Sequence, residues 1–115
     1  MSGTAVVTGA ASGLGRAIAH RFAKEGIKVA LWDVDLAGAK RAADEIGALA
    51  TPFAVDITDT AAVRAAWLAT KSALGTPSIL VNSAGILGPS AGIASYPEEQ
   101  WHRVLDINLN GTFRC

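Results

Sequence analysis

Residues 5–15 read Ala5-Val6-Val7-Thr8-Gly9-Ala10-Ala11-Ser12-Gly13-Leu14-Gly15, a short apolar run that breaks into glycines and then opens into a helical pattern. Such an order reads as strand, phosphate loop and helix. Val6 and Val7 suit a buried strand, and Gly9, Gly13 and Gly15 are expected to bend the backbone and to let a ligand approach without a Cβ in the way. The helix that follows turns its free N–H groups and positive dipole end toward whatever lies over the loop, which makes an anion site suited to a pyrophosphate. The spacing is G-x3-G-x-G, which differs from the G-x-G-x-x-G fingerprint and lacks the Gly-Lys-Ser/Thr of a nucleoside-triphosphate loop. With no Lys in the loop, kinase and ATPase chemistry are disfavoured. Three closely spaced glycines also fit an ordinary tight turn, so the loop decides only together with the elements around it.

Working outward, Leu14, Ala17, Ile18 and Phe22 recur at helical spacing and Gly26 offers a C′ stop. Arg16 suits either a phosphate contact or plain solvation, and His20 is expected on an exposed face. Lys28-Val29-Ala30-Leu31-Trp32-Asp33 has the length and apolarity of a parallel strand covered on both sides. Leu36, Ala39, Ala43 and Ile46 mark a second helix that Gly47 ends. Ala50 to Val55 forms a third strand, and Pro52 near its start points to a sheet edge, where strand three lies in a 3-2-1-4 order. Thr58 or Asp59 caps a third helix with an inner face of Val63, Ala66, Trp67, Thr70 and Leu74, closed by Gly75 and Pro77. Ile79-Leu80-Val81 is the fourth strand and runs straight into Asn82-Ser83-Ala84-Gly85. A loop rich in Gly, Pro and Ser spans Ile86 to Tyr96, and Ser95-Tyr96-Pro97-Glu98 reads as a capping box. Trp101, Val104, Leu105, Leu109 and Thr112 or Phe113 then sustain one helical stripe to the last residue.

At 115 residues, half of them hydrophobic, the chain can bury one core and forms one domain at most. Ten basic residues balance ten acidic ones with no basic cluster, which points away from nucleic acid and from an anionic membrane surface. The first strand starts within five residues of Met1 and no apolar run approaches bilayer-spanning length, so a soluble cytoplasmic protein is expected. Cys115 is the only cysteine, and His20 and His102 are the only histidines, which leaves no Cys/His metal site within one chain. Cys115 has no identifiable base partner that would make it a nucleophile. Asp33 comes eighteen residues after Gly15, near the interval of about twenty at which a dinucleotide fold places the carboxylate that accepts ribose hydroxyls. A carboxylate there repels a 2′-phosphate; the competing role, capping the helix near Leu36, can fall to Asp35 instead.

Thr8-Gly9-Ala10-Ala11-Ser12-Gly13-Leu14-Gly15, Asp33 ending the second strand, Asp56 after the third and Asn82-Ser83-Ala84-Gly85 after the fourth together resemble the short-chain dehydrogenase/reductase family over the whole chain. The resemblance implies a Rossmann-type, doubly wound parallel α/β sheet ordered 3-2-1-4, with residues 1–115 as the NAD-binding, N-terminal part of a single-domain oxidoreductase. It implies NAD as the cofactor, held by Thr8, Gly9, Ser12, Gly13, Leu14, Gly15, Asp33, Asp56, Ile57, Asn82, Ala84 and Gly85. Asp33 implies NAD over NADP, whose users place Arg or Lys in or beside this position, where Val34 stands here. Asp56 would meet the adenine amino group, or serve as a turn residue, and Ile57 would lie near the ring. Ser83 departs from the usual Asn-Asn-Ala-Gly, at the place where the family's second Asn hydrogen-bonds within the sheet. Asn108, in Asp106-Ile107-Asn108-Leu109, matches the asparagine of the catalytic tetrad, set at a local helix irregularity. The implied partners are the dinucleotide and a small alcohol or ketone, with a homodimer or homotetramer at full length.

The family also needs a Ser and a Tyr-x-x-x-Lys pair, the tyrosine as acid/base and the serine polarising the substrate carbonyl. Tyr96 is the only tyrosine here and Gln100 stands four positions on, so neither belongs to that pair. The helix at Arg114-Cys115 shows no stop signal, so the chain reads as truncated within the helix after strand four, and inactive by itself. Two readings stay open: the cofactor half of an NAD-dependent alcohol/ketone oxidoreductase, or a naturally short nucleotide-binding or interaction module without catalysis. Coding sequence downstream of Cys115 that continues into Ser and Tyr-x-x-x-Lys discriminates between them.

Overall fold

The computed structural model describes residues 3–115. The run of apolar and β-branched residues at Thr4–Thr8 forms β1, buried at every position, as a strand covered on both faces must be. It pairs in parallel with β2 (Lys28–Asp33) on one side and β4 (Ile79–Val81) on the other, and β2 pairs with β3 (Ala50–Ala54). The order is therefore β3-β2-β1-β4, with Pro52 on an edge strand where its missing N–H costs no ladder bond.

Because side chains alternate along a strand, each strand feeds two cores. Val7, Val29 and Leu31 face α1 (Gly13–Lys24) and α2 (Leu36–Ile46), where Ala19, Ala39, Ala42 and Ala43 let the helices lie close. On the other face Val6, Ala30 and Trp32 meet Val63 and Ala66 of α3 (Thr60–Leu74). The helix boundaries follow local chemistry. Asp35 Oδ1 accepts from the Gly38 N–H at 3.0 Å, Asp59 Oδ1 accepts from those of Ala61 and Ala62, and Gly26 lies at φ +83° while the Ile27 N–H reaches back to the Phe22 carbonyl. Asp59, not Thr58, is thus the cap of α3.

Three expectations need correction. Trp67 is 40% exposed rather than on the inner stripe, because Trp32 already fills the space between β2 and α3. The Trp32 indole N–H donates to Thr70 Oγ1 at 3.0 Å in a buried contact. The capping box does not form: Ser95 Oγ donates to the Gly92 carbonyl in a short 3-10 turn over Ile93–Ser95, and Tyr96 and Pro97 stay extended. Proline forces the residue before it out of the helical region, so α4 (Glu98–Leu105) starts after Pro97. The last helix is not one regular stripe either, since a π turn over Asp106–Asn110 separates α4 from α5 (Gly111–Arg114). A π turn rotates the register. Ile107 and Cys115 consequently pack on the Trp32 core, while Trp101, Leu105, Leu109 and Phe113 stay exposed.

The Trp32–Thr70 bond offers a direct test of this packing. Thr70→Val keeps the volume but leaves the indole N–H buried without an acceptor, so the unfolding free energy is expected to fall by about 1–3 kcal/mol. The change should appear as a lower urea midpoint at unchanged slope. An unaltered midpoint would mean that the bond contributes nothing.

Candidate functional site

The carboxyl ends of the strands open on a cleft of about 1140 Å³, at the point where the chain order reverses between β1 and β4. Its floor is the loop after β1. Ser12 is extended and its side chain makes no capping bond to α1, and no acidic residue stands in that helix's first turn. The serine hydroxyl and the first-turn N–H groups are therefore available to an anion in the cleft, which Ser12, Gly13 and Leu14 line.

The three loop glycines turn out to do different things. Gly13 has φ +56°, and a Cβ built on it would meet nothing within 4 Å, so it alone faces open space. Gly9, at φ +64°, abuts the loop after β4: a Cβ would stand 2.8 Å from Ala84 Cα and from the Ser83 carbonyl oxygen. Gly15 is buried, and a Cβ there would collide with the Gly9 carbonyl oxygen. A Cβ at Gly9 or Gly15 would thus meet neighbouring backbone of the protein itself, and Gly9 also lines the cleft.

Thr8 is 1% exposed and does not line the cleft. Its hydroxyl accepts from the N–H groups of Ser83 and Ala84, both at 3.1 Å, and so joins the loops after β1 and β4. Position 83 takes part in this tie through its main chain, where the serine for asparagine exchange is immaterial. Ala84 and Gly85 line the cleft; Asn82 is exposed and lies outside it.

Asp33 stands at the cleft's far end beside Val34. Its Oδ2 accepts from the Ala11 N–H at 3.0 Å and its Oδ1 from that of Asp35 at 2.9 Å. The first of these bonds pins the glycine loop to β2, a connection that sequence spacing does not reveal. Capping of α2 falls to Asp35, as its bond to Gly38 shows. Past β3, Asp56 and Ile57 form a side wall. Asp56 Oδ1 accepts from Thr58 Oγ1 at 2.6 Å and from the Thr58 N–H at 2.9 Å, and the threonine holds the carboxyl below its ordinary range. Asp56 is therefore a turn residue and a cleft residue at once.

The adjoining wall is α4 and the π turn, through Arg103, Asp106, Ile107 and Asn110. Asn108 sits within the π turn, an irregularity that matches the expected one. Its side-chain amide donates to the Ile86 carbonyl and accepts from the Ile86 N–H, both at 2.9 Å, holding the loop after Gly85 in place. Arg16 points elsewhere: it pairs with Glu45 of α2, and His20 Nε2 lies 3.5 Å from the same carboxylate. The arginine keeps the Glu45 carboxyl low. Cys115 is half-buried, and burial raises its thiol pKa, which disfavours the thiolate.

A parallel sheet ordered 3-2-1-4, with a glycine loop and a strand-end acid meeting in the crevice at its carboxyl edge, defines a Rossmann-type α/β protein. Residues 3–115 match the family described as short chain dehydrogenase, and the chain belongs to that family. It is 46% identical over 112 residues to 2-dehydro-3-deoxy-L-rhamnonate dehydrogenase (NAD(+)) of Sphingomonas sp. (strain SKA58), covering 96% of this chain and 44% of that protein. Among solved structures it resembles a 3-ketoacyl-(acyl-carrier-protein) reductase from Brucella melitensis complexed with NADH, at 42% identity and a TM-score of 0.95, covering 97% of this chain and 46% of the other. An actinorhodin polyketide ketoreductase with NADPH superposes at a TM-score of 0.93 with 34% identity, covering 98% of this chain and 44% of the other. The chain therefore spans less than half the length of these relatives. Both nicotinamide dinucleotides occur among the neighbours, so the fold alone does not choose between them. Among the described residues no helix is long and apolar enough to cross a membrane.

Proposed function

We propose that this chain is the NAD-binding half of a cytoplasmic oxidoreductase acting on CH–OH groups, with a small alcohol or ketone as substrate and a homodimer or homotetramer as its full-length form. The observation that carries the reading is the meeting, in one cleft, of open space over Gly13 and the Asp33 carboxylate. The residues fit the cofactor. A pyrophosphate suits the first turn of α1, the adenosine ribose suits Asp33, the adenine suits the wall of Asp56 and Ile57, and the nicotinamide ribose suits the backbone at Ala84 and Gly85. When bound, the nicotinamide supplies hydride transfer to or from the substrate carbon. In this reading Asn108 holds the Ile86 backbone beside the nicotinamide end and presents its own carbonyl to a proton relay. The proton-transferring Tyr-x-x-x-Lys and the Ser lie outside residues 1–115.

Each oxygen of Asp33 spends one acceptor site inside the protein and keeps one for a ribose hydroxyl. Asp33→Ala should therefore weaken NAD binding by about 1.5–3 kcal/mol, roughly ten- to a hundredfold, through lost ribose bonds and a loosened loop. NADP should lose less, because the charge that opposes its 2′-phosphate is removed as well. Calorimetry with both cofactors checks this in the full-length protein. Equal losses for the two would mean that Asp33 serves only to pin Ala11.

A further inference from the structure

Arg114, in the last turn of α5, belongs to none of the motifs read from the sequence, yet its side chain is only 19% exposed. Its donors point inward. Nη1 donates to the Ile57 carbonyl at 3.0 Å and to the Asp106 carbonyl at 3.3 Å, and Nη2 donates to Asp106 Oδ1 at 2.6 Å. Ile57 and Asp106 both line the cleft, and Asp106 opens the π turn that packs beside Ile57. One planar guanidinium thus joins the two.

The Asp106 carbonyl also accepts the N–H of Gly111, the wide bond that makes this turn a π turn. Arg114 supplies that oxygen with a second donor and neutralises the adjacent carboxylate, whose pKa it lowers. Carried by the same turn is Asn108, whose amide holds both polar groups of the Ile86 backbone. A fixed fork of donors can serve two carbonyls and a carboxylate together, whereas a lysine ammonium is a single point charge. Resting on the reading of the cleft as a dinucleotide site, we propose that Arg114 is a positioning residue: it holds the π turn, and with it the Asn108 clamp on Ile86, against the Ile57 wall of the cleft.

The test uses the full protein with Arg114→Met. Amide hydrogen exchange at Ile86, measured without cofactor, is expected to run about tenfold faster, and the Kd for NAD to rise about tenfold. A role confined to local stability would leave Ile86 protection unchanged. Asp106→Asn breaks the same link, so the double variant should be no worse than Arg114→Met alone, and Arg114→Lys should fall between parent and Met. If Arg114→Met does not fold, the Asp106→Asn and Arg114→Lys variants carry the same readouts. Ile86 exchange and NAD affinity within twofold of the parent, or additive losses in the double variant, would overturn the proposal. Failure of the parent to bind NAD overturns the reading of the cleft instead, and the Ile86 measurement is independent of that outcome.

Discussion

Valine at position 13 is expected to abolish dinucleotide binding while leaving the sheet and helices folded. Gly13 lies at φ +56°, a conformation that costs a side-chain-bearing residue on the order of 1–2 kcal/mol. That is small against the roughly 5–15 kcal/mol that stabilises a typical domain, and no atom lies within 4 Å of the added Cβ. Folding should therefore survive. The same empty space is where a pyrophosphate must approach the first turn of α1, and a branched side chain occupies it. An affinity loss of more than about a hundredfold corresponds to removing the charge-assisted bonds of that turn, at about 1.5–3 kcal/mol each. Calorimetry on protein shown to be folded by circular dichroism is the check. Retained affinity would remove this loop as the phosphate site.

Alanine at position 9 should have the opposite signature, with loss of stability first and of binding only as a result. Gly9 combines φ +64° with a Cβ position 2.8 Å from backbone atoms of Ala84, which belong to the loop after β4 and are themselves held by Thr8. Backbone so placed cannot yield as a flexible side chain would. Left-handed strain of about 1–2 kcal/mol and an overpacking cost of about 1–3 kcal/mol together make roughly 2–5 kcal/mol. Gly13→Ala is the control, because Gly13 has a similar φ, +56°, but nothing lies within 4 Å of its Cβ position. Only the strain should remain there. Urea unfolding of the two variants reads the difference directly, and equal midpoint shifts would contradict a close approach of the loops after β1 and β4.

Features that depend on short-range chemistry were legible in the residues themselves. Alternating strand and helix runs settled the parallel sheet, Pro52 placed β3 at its edge, and Gly26, Gly47, Gly75 and Asp35 marked helix ends whose satisfying groups lie within five residues. The family motifs likewise stood in the sequence, because a glycine loop and a strand-end acid are needed at fixed intervals along the chain. Periodicity records which face of a segment is buried but not what lies opposite, which depends on contacts between distant parts of the chain. Thr8 meets Ser83 and Ala84 across separations of 75 and 76 residues, Ala11 reaches Asp33 across 22, and Arg114 reaches Ile57 across 57. The folded loop leaves open space beside Gly13 but sets neighbouring backbone beside Gly9 and Gly15. Likewise, the indole of Trp32 in the volume beside α3 is what leaves Trp67 outside. The same holds for the π turn: no propensity encodes a register shift whose stabilising groups, the Ile57 carbonyl and the Ile86 backbone, come from loops that assemble only when the sheet does.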